Sequence, residues 1–119
     1  GRIQSWGVRT SLFVEPNERM VEAAKACGTD RIELYTESYA KGYANDRDKA
    51  IAPYLRAAKQ ADISGLGLNA GHDLDLENLQ FFKQSIPNLL EVSIGHALIS
   101  DALYFGLENT IGLYLRKLA

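Results

Sequence analysis

Several features that announce a function are scarce or missing in this 119-residue chain. Cysteine occurs once, at Cys27, so no intrachain disulfide can form and a reducing, cytoplasmic setting is expected. No apolar run approaches the roughly 18 residues of a membrane span. Neither charge sign dominates: 13 Lys and Arg stand against 15 Asp and Glu, and the cations are scattered rather than clustered. That pattern argues against a nucleic-acid surface and against a polybasic membrane patch, and leaves small molecules as the expected partners. No glycine-rich Walker loop or dinucleotide fingerprint is present. Histidine occurs only twice, never as a pair on one helix, and there is no cysteine cluster. The two histidines with Glu33 could in principle ligate a metal, but none of the usual ligand spacings is there, so no metal and no cofactor is expected. The chain also begins at Gly1 rather than at a methionine, which suggests a piece of something longer.

What remains is ordinary for a globular protein, 46% hydrophobic and 24% charged. The length suits a single domain over residues 1–119 with a real core. Four segments read as strands, near 8–14, 31–36, 66–70 and 89–94. Between them lie helical patterns: Val21, Ala24 and Cys27 up to Gly28; Ile51, Tyr54, Leu55 and Ala58 after a cap at Asp46; Leu76, Leu79, Phe82 and Ile86 after Asp75. Pro53 is expected to kink or split the second of these. Glu37 to Asn45 reads as a long polar loop flanked by Tyr35, Tyr39 and Tyr43, tyrosines expected mainly to pack beneath it, with lining the site as the alternative. After the last strand a short helix, Ala97 to Phe105, is set off by Gly106 from a final one that carries Leu107, Ile111, Tyr114, Leu115 and Leu118 on one face.

Strands alternating with helices at this spacing give an α/β fold of four parallel βα units, either a small open sheet or part of a (β/α)-barrel. The strand faces favour the barrel. A fully covered parallel sheet has aliphatic strands, whereas here one face of each strand is polar: Arg9 and Ser11, Arg31 and Glu33, Gly67 and Asn69, Glu91 and Ser93. Left unpaired in a dry interior, each such group would cost about 1–3 kcal/mol. Lining a barrel and pairing with one another, they are accommodated. Glu91, deep in its strand, is expected to belong to a structural ion-pair network.

Both histidines follow a glycine at the C-terminal end of a strand, in Gly71-His72-Asp73 and in Gly95-His96-Ala97. That edge is where parallel α/β proteins bind ligands. His72 suits a general acid or base, since its intrinsic pKa lies near neutrality; an ordinary loop histidine is the plainer account. Glu33 could partner it or stabilise developing positive charge, with a salt bridge to Arg9 or Arg31 as the equal alternative. Gly95-His96 before a short extra helix suits an anion site built from backbone amides. Otherwise Gly95 only relieves crowding at the turn.

Three stretches together carry a resemblance: Arg31-Ile32-Glu33-Leu34-Tyr35-Thr36 followed by Tyr39-Ala40, then Leu68-Asn69-Ala70-Gly71-His72, then Val92-Ser93-Ile94-Gly95-His96-Ala97-Leu98-Ile99. They resemble the C-terminal half of the pyridoxine 5′-phosphate synthases, and Val8 to Val14 is similar to that family's fifth strand. The resemblance implies half of a (β/α)₈ TIM barrel. It implies a condensation of 3-amino-2-oxopropyl phosphate with 1-deoxy-D-xylulose 5-phosphate, giving pyridoxine 5′-phosphate, inorganic phosphate and water without a metal. By similarity His72 is the proton donor and Glu33 stabilises the transition state, while Asp73, Gly95 and His96 hold the aminoketone phosphate. Glycine is also familiar where Asp73 stands, and the aspartate charge would repel phosphate unless turned away. The family's other catalytic groups belong to an N-terminal half that these four strands do not include. Self-association into a homo-oligomer, or union with that missing half-barrel, is therefore expected. Two other readings stay open, a non-catalytic phosphate-binding half-barrel and another sugar-phosphate barrel enzyme. An aldolase would want a strand-end Schiff-base lysine, and no predicted strand contains a lysine.

Overall fold

A computed structural model describes residues 1–119. The elements run β1 (Ser11–Val14), α1 (Glu18–Ala26), β2 (Arg31–Tyr35), α2 (Glu37–Ile63), β3 (Gly67–Gly71), α3 (Leu79–Ser85), β4 (Leu89–Ser93), α4 (His96–Phe105) and α5 (Leu107–Leu118). The strands form one parallel sheet in the order β1-β2-β3-β4. Sequential parallel strands joined by helices are the arrangement of half a (β/α)₈ barrel, and the extra helix α4 precedes the last one as expected.

One face of the sheet is apolar and covered. Ile32 and Leu34 of β2 and Leu68 and Ala70 of β3 are fully buried. The helices lie over them, contributing Val21, Tyr39, Tyr54, Ala57, Ala61, Leu79, Phe82 and Tyr114 to the same core. The other face is polar, and its groups pair as the sequence suggests. Glu91 accepts from Arg9 at 3.3 Å and from Arg31 at 3.1 Å. Asn69 joins them, taking a hydrogen bond from Arg31 at 3.2 Å and donating to Glu91 at 3.4 Å.

Several local expectations need correction. β1 is shorter than the 8–14 segment and begins at Ser11. The residues before it are held at the edge by Asp30, whose carboxylate accepts from the Thr10 amide at 2.8 Å. The stretch from Glu37 to Asn45 is helix, not loop, because Tyr39 and Tyr43 are one turn apart and pack as a stripe. Tyr39 is completely buried against Tyr54 and Phe82, and Tyr43 lies against Phe81. The break in α2 falls at Asp46 (φ −158°, ψ 94°), and the helix continues through Pro53. Asp46 does cap the second piece, accepting from the Lys49 amide at 3.1 Å. Asp75 closes a turn, accepting from the Glu77 and Asn78 amides, and α3 starts only at Leu79. Cys27 is exposed, as are Leu55, Leu107, Ile111 and Leu115, so the apolar face of α5 is buried only around Thr110 and Tyr114. No helix is long and apolar enough to cross a membrane.

Candidate active site

The C-terminal ends of the strands open on a cleft of about 530 Å³. It is lined by Glu33 from β2, His72 and Asp73 just after β3, Ser93 and Gly95 at the end of β4, and His96 at the start of α4. All five residues singled out in the sequence therefore meet in one place, although they lie on three different βα units.

Glu33 is nearly buried, at 9% exposure, and its Oε1 has no hydrogen-bond partner. The salt bridge weighed as its alternative role is absent, since Arg9 and Arg31 both turn to Glu91. Room for Glu33 comes from the facing strand. A Cβ on Gly71 would sit 2.5 Å from Glu33 Oε1, closer than any side chain tolerates. Gly67 does the same for Arg31, whose Cγ would lie 2.6 Å from such a Cβ. The two glycines of β3 thus let long polar side chains from β2 lie across the open face.

His72 and Asp73 both have left-handed backbones, with φ of 82° and 57°. For residues with a side chain this costs on the order of 1 kcal/mol or more each, so neighbours must hold the turn. Aspartate, with asparagine and glycine, is among the types that tolerate this region best. The His72 ring lies between two aromatics, its centroid 4.5 Å from that of Tyr35 and 6.2 Å from that of Phe13. The Glu37 carboxylate beside Tyr35 raises the phenol's pKa. Glu37 is in turn held below the usual carboxylate range, first by its hydrogen bond from Lys41 and then by Tyr35.

Sequence reasoning missed Phe13 and Thr36 at the site, and ranked a site-lining role for Tyr35 behind packing. Strand alternation carried part of the signal, for Phe13 shares a face with Ser11, and Tyr35 shares one with Glu33. Grouping Tyr35 with Tyr39 and Tyr43 hid this; only Tyr35 touches His72, and the other two pack between helices. Thr36, read from the sequence only as the end of its strand, sits at the N-cap position of α2. It is fully buried, with its amide 2.8 Å and its Oγ1 2.6 Å from the Gly71 carbonyl, and with Oγ1 also against the His72 carbonyl.

On the other side of the cleft, α4 begins at His96 with no side-chain cap. Its first amides are free for an anion, as the helix dipole favours. A Cβ built on Gly95 meets nothing within 4 Å, so the glycine relieves no crowding; it leaves the approach to those amides open. His96 is exposed, and its Nε2 lies 3.7 Å from Asp73 Oδ1. A histidine, a carboxylate oxygen without a partner and an uncapped helix start thus face one volume. That combination suits protonation and charge stabilisation on a small anionic substrate.

The family described as "Pyridoxal phosphate biosynthesis protein PdxJ" matches residues 1–119. The pyridoxine 5′-phosphate synthase of Flavobacterium johnsoniae is 62% identical over 112 residues, covering 94% of this chain and 47% of the relative. That of Parabacteroides distasonis is 64% identical over 110 residues, 92% of this chain and 46% of the relative. That of Porphyromonas gingivalis is 52% identical over 118 residues, 99% of this chain and 50% of the relative. The chain spans about half the length of the curated relatives it matches. With the family match running from the first residue to the last, the chain belongs to the PdxJ family of pyridoxal phosphate biosynthesis proteins.

Proposed function

We propose that this chain supplies the C-terminal half of a pyridoxine 5′-phosphate synthase. The reaction condenses 3-amino-2-oxopropyl phosphate with 1-deoxy-D-xylulose 5-phosphate, yielding pyridoxine 5′-phosphate, inorganic phosphate and water. The observation that carries the proposal is the pairing, in one cleft, of a buried Glu33 oxygen without a partner and an uncapped helix end beyond Gly95. A molecule with a phosphate at one end and an amine or its imine at the other satisfies both. The phosphate takes the amides at Gly95 and His96, with the Asp73 backbone at the rim. Positive charge that develops as the amine condenses is met by Glu33, whose carboxylate has no cation of its own in this chain. His72, held between Phe13 and Tyr35, delivers a proton to a departing oxygen. Ring closure of this kind proceeds through imine formation and eliminations, and each elimination needs a positioned acid.

The experiment adds both substrates to the full-length protein that carries this chain and follows the phosphate-binding amides by NMR. Shifts at Gly95 and His96 with 3-amino-2-oxopropyl phosphate, together with formation of pyridoxine 5′-phosphate, are expected. Shifts without product would favour the phosphate-binding module instead. Product without any change at Gly95 or His96 would remove the cradle from the site.

A further inference from the structure

We propose that Thr36 is a positioning residue, a clamp that holds the Gly71-His72 turn in the conformation that presents the imidazole to the cleft. The inference rests on the reading of His72 as the acid. Thr36 occupies the N-cap position of α2, where a threonine hydroxyl ordinarily accepts from an amide in the first turn of its own helix. Here it makes no such bond. The residue is completely buried, and its hydroxyl points the other way, across to β3. Its one proton is shared between the carbonyls of Gly71 and His72, and its amide also donates to Gly71. Those carbonyls lie on either side of the His72 Cα, where the chain leaves β3 and turns left-handed, through His72 at φ 82° and Asp73 at φ 57°.

A local cap has thus been given up for a contact to the turn that carries the histidine. Released from it, the turn would relax toward ordinary backbone angles. The imidazole would leave its place between Phe13 and Tyr35, where its ring now lies 4.5 Å from the tyrosine. A misplacement of this order near the reacting atoms costs about 100-fold in rate. Phosphate binding rests mainly on a separate element, the start of α4, with the Asp73 backbone only at its rim, so most of it is left in place.

Thr36→Val and Thr36→Ser in the full-length protein test the clamp. Valine keeps the shape and removes the donor; serine keeps the donor. The expected result for valine is a kcat lowered about 100-fold, a KM for the aminoketone phosphate within about threefold, and a crystal structure in which His72 has left its positive φ. Serine is expected to stay within about threefold of wild type in kcat. If valine leaves the His72 backbone unchanged, the clamp is refuted. If the turn moves but kcat does not, or if the loss is in KM, its positioning role is refuted. Should the valine variant not fold, the serine variant still decides, because a loss near 100-fold with the hydroxyl retained contradicts the proposal. His72→Ala run alongside separates the two ideas. Wild-type turnover there would sink the acid role of His72, while the structural arm would still judge the clamp.

Discussion

Gly71 is fixed by its neighbours rather than by its own backbone. A Cβ there would lie 2.5 Å from Glu33 Oε1 and 3.2 Å from Ser93 Cβ. Gly71→Ala is expected to push the Glu33 carboxylate out of the cleft and to lower turnover, with a smaller effect on stability because the displaced atom ends a flexible side chain. Steady-state rates check this, and an alanine variant with unchanged turnover would contradict the packing described. Asp73 behaves differently, because its cost is electrostatic as well as conformational. Asp73→Gly removes a carboxylate from the rim of the anion cradle and relieves a left-handed aspartate. Phosphate should bind about 2- to 10-fold more tightly, the equivalent of roughly 1 kcal/mol, as read by calorimetric titration. Weaker binding would mean that the carboxylate itself helps to hold the ligand. At this scale the site was partly legible. The Gly-His pairs and the position of Glu33 on its strand pointed to the cleft. The release of Glu33 from its arginines did not, since which of two carboxylates captures Arg9 and Arg31 is settled by register across strands.

Among the elements, α2 taught the most. Its first part looked like a loop because Gly42, Asn45 and other polar residues crowd it, and only the spacing of Tyr39 and Tyr43 marked the buried stripe. Burial of Tyr39 against Phe82 outweighed the weak local propensity. The Asp46 cap between the two pieces was legible, and Asp46→Ala is expected to cost about 1 kcal/mol in chemical denaturation; no change would mean that packing alone sets the break. At the β1 edge Asp30 supplies a pH test. Its carboxyl is held below the usual range, first by the Thr10 amide and then by Gln4. The stabilisation this gives is present above the ordinary aspartate pKa of about 4 and is lost as pH falls through the lowered folded value. Asp30→Asn should therefore be less stable than wild type at pH 7, with the gap narrowing as pH falls below about 4. A gap that is constant with pH would show that the contact does not depend on charge.

The whole molecule measures 43 × 35 × 21 Å, with a radius of gyration of 14.9 Å. A compact chain of this length would have one of about 13.5 Å. The excess reflects a sheet covered on one face only, with β1 and β4 unpaired at its edges. Apolar side chains such as Leu103 and Tyr104 stand more than four-fifths exposed. The parallel βα order was legible from strand spacing, and the polar strand faces pointed to a barrel interior. The exposed face of α5 was not, since its heptad-like stripe reads the same whether it meets this chain's own core or other βα units. We propose that such units, or a second copy, close these edges. In dilute solution the isolated chain should run above the mass of one copy by light scattering; a stable monomer would contradict self-association. The most direct test of the site is His72→Ala in the full-length protein, with turnover and affinity measured together. Turnover is predicted to fall by about 10²- to 10⁴-fold, while the Kd for 3-amino-2-oxopropyl phosphate stays within about threefold, because the cradle lies on α4. Unchanged turnover would take His72 out of the chemistry and with it the central claim.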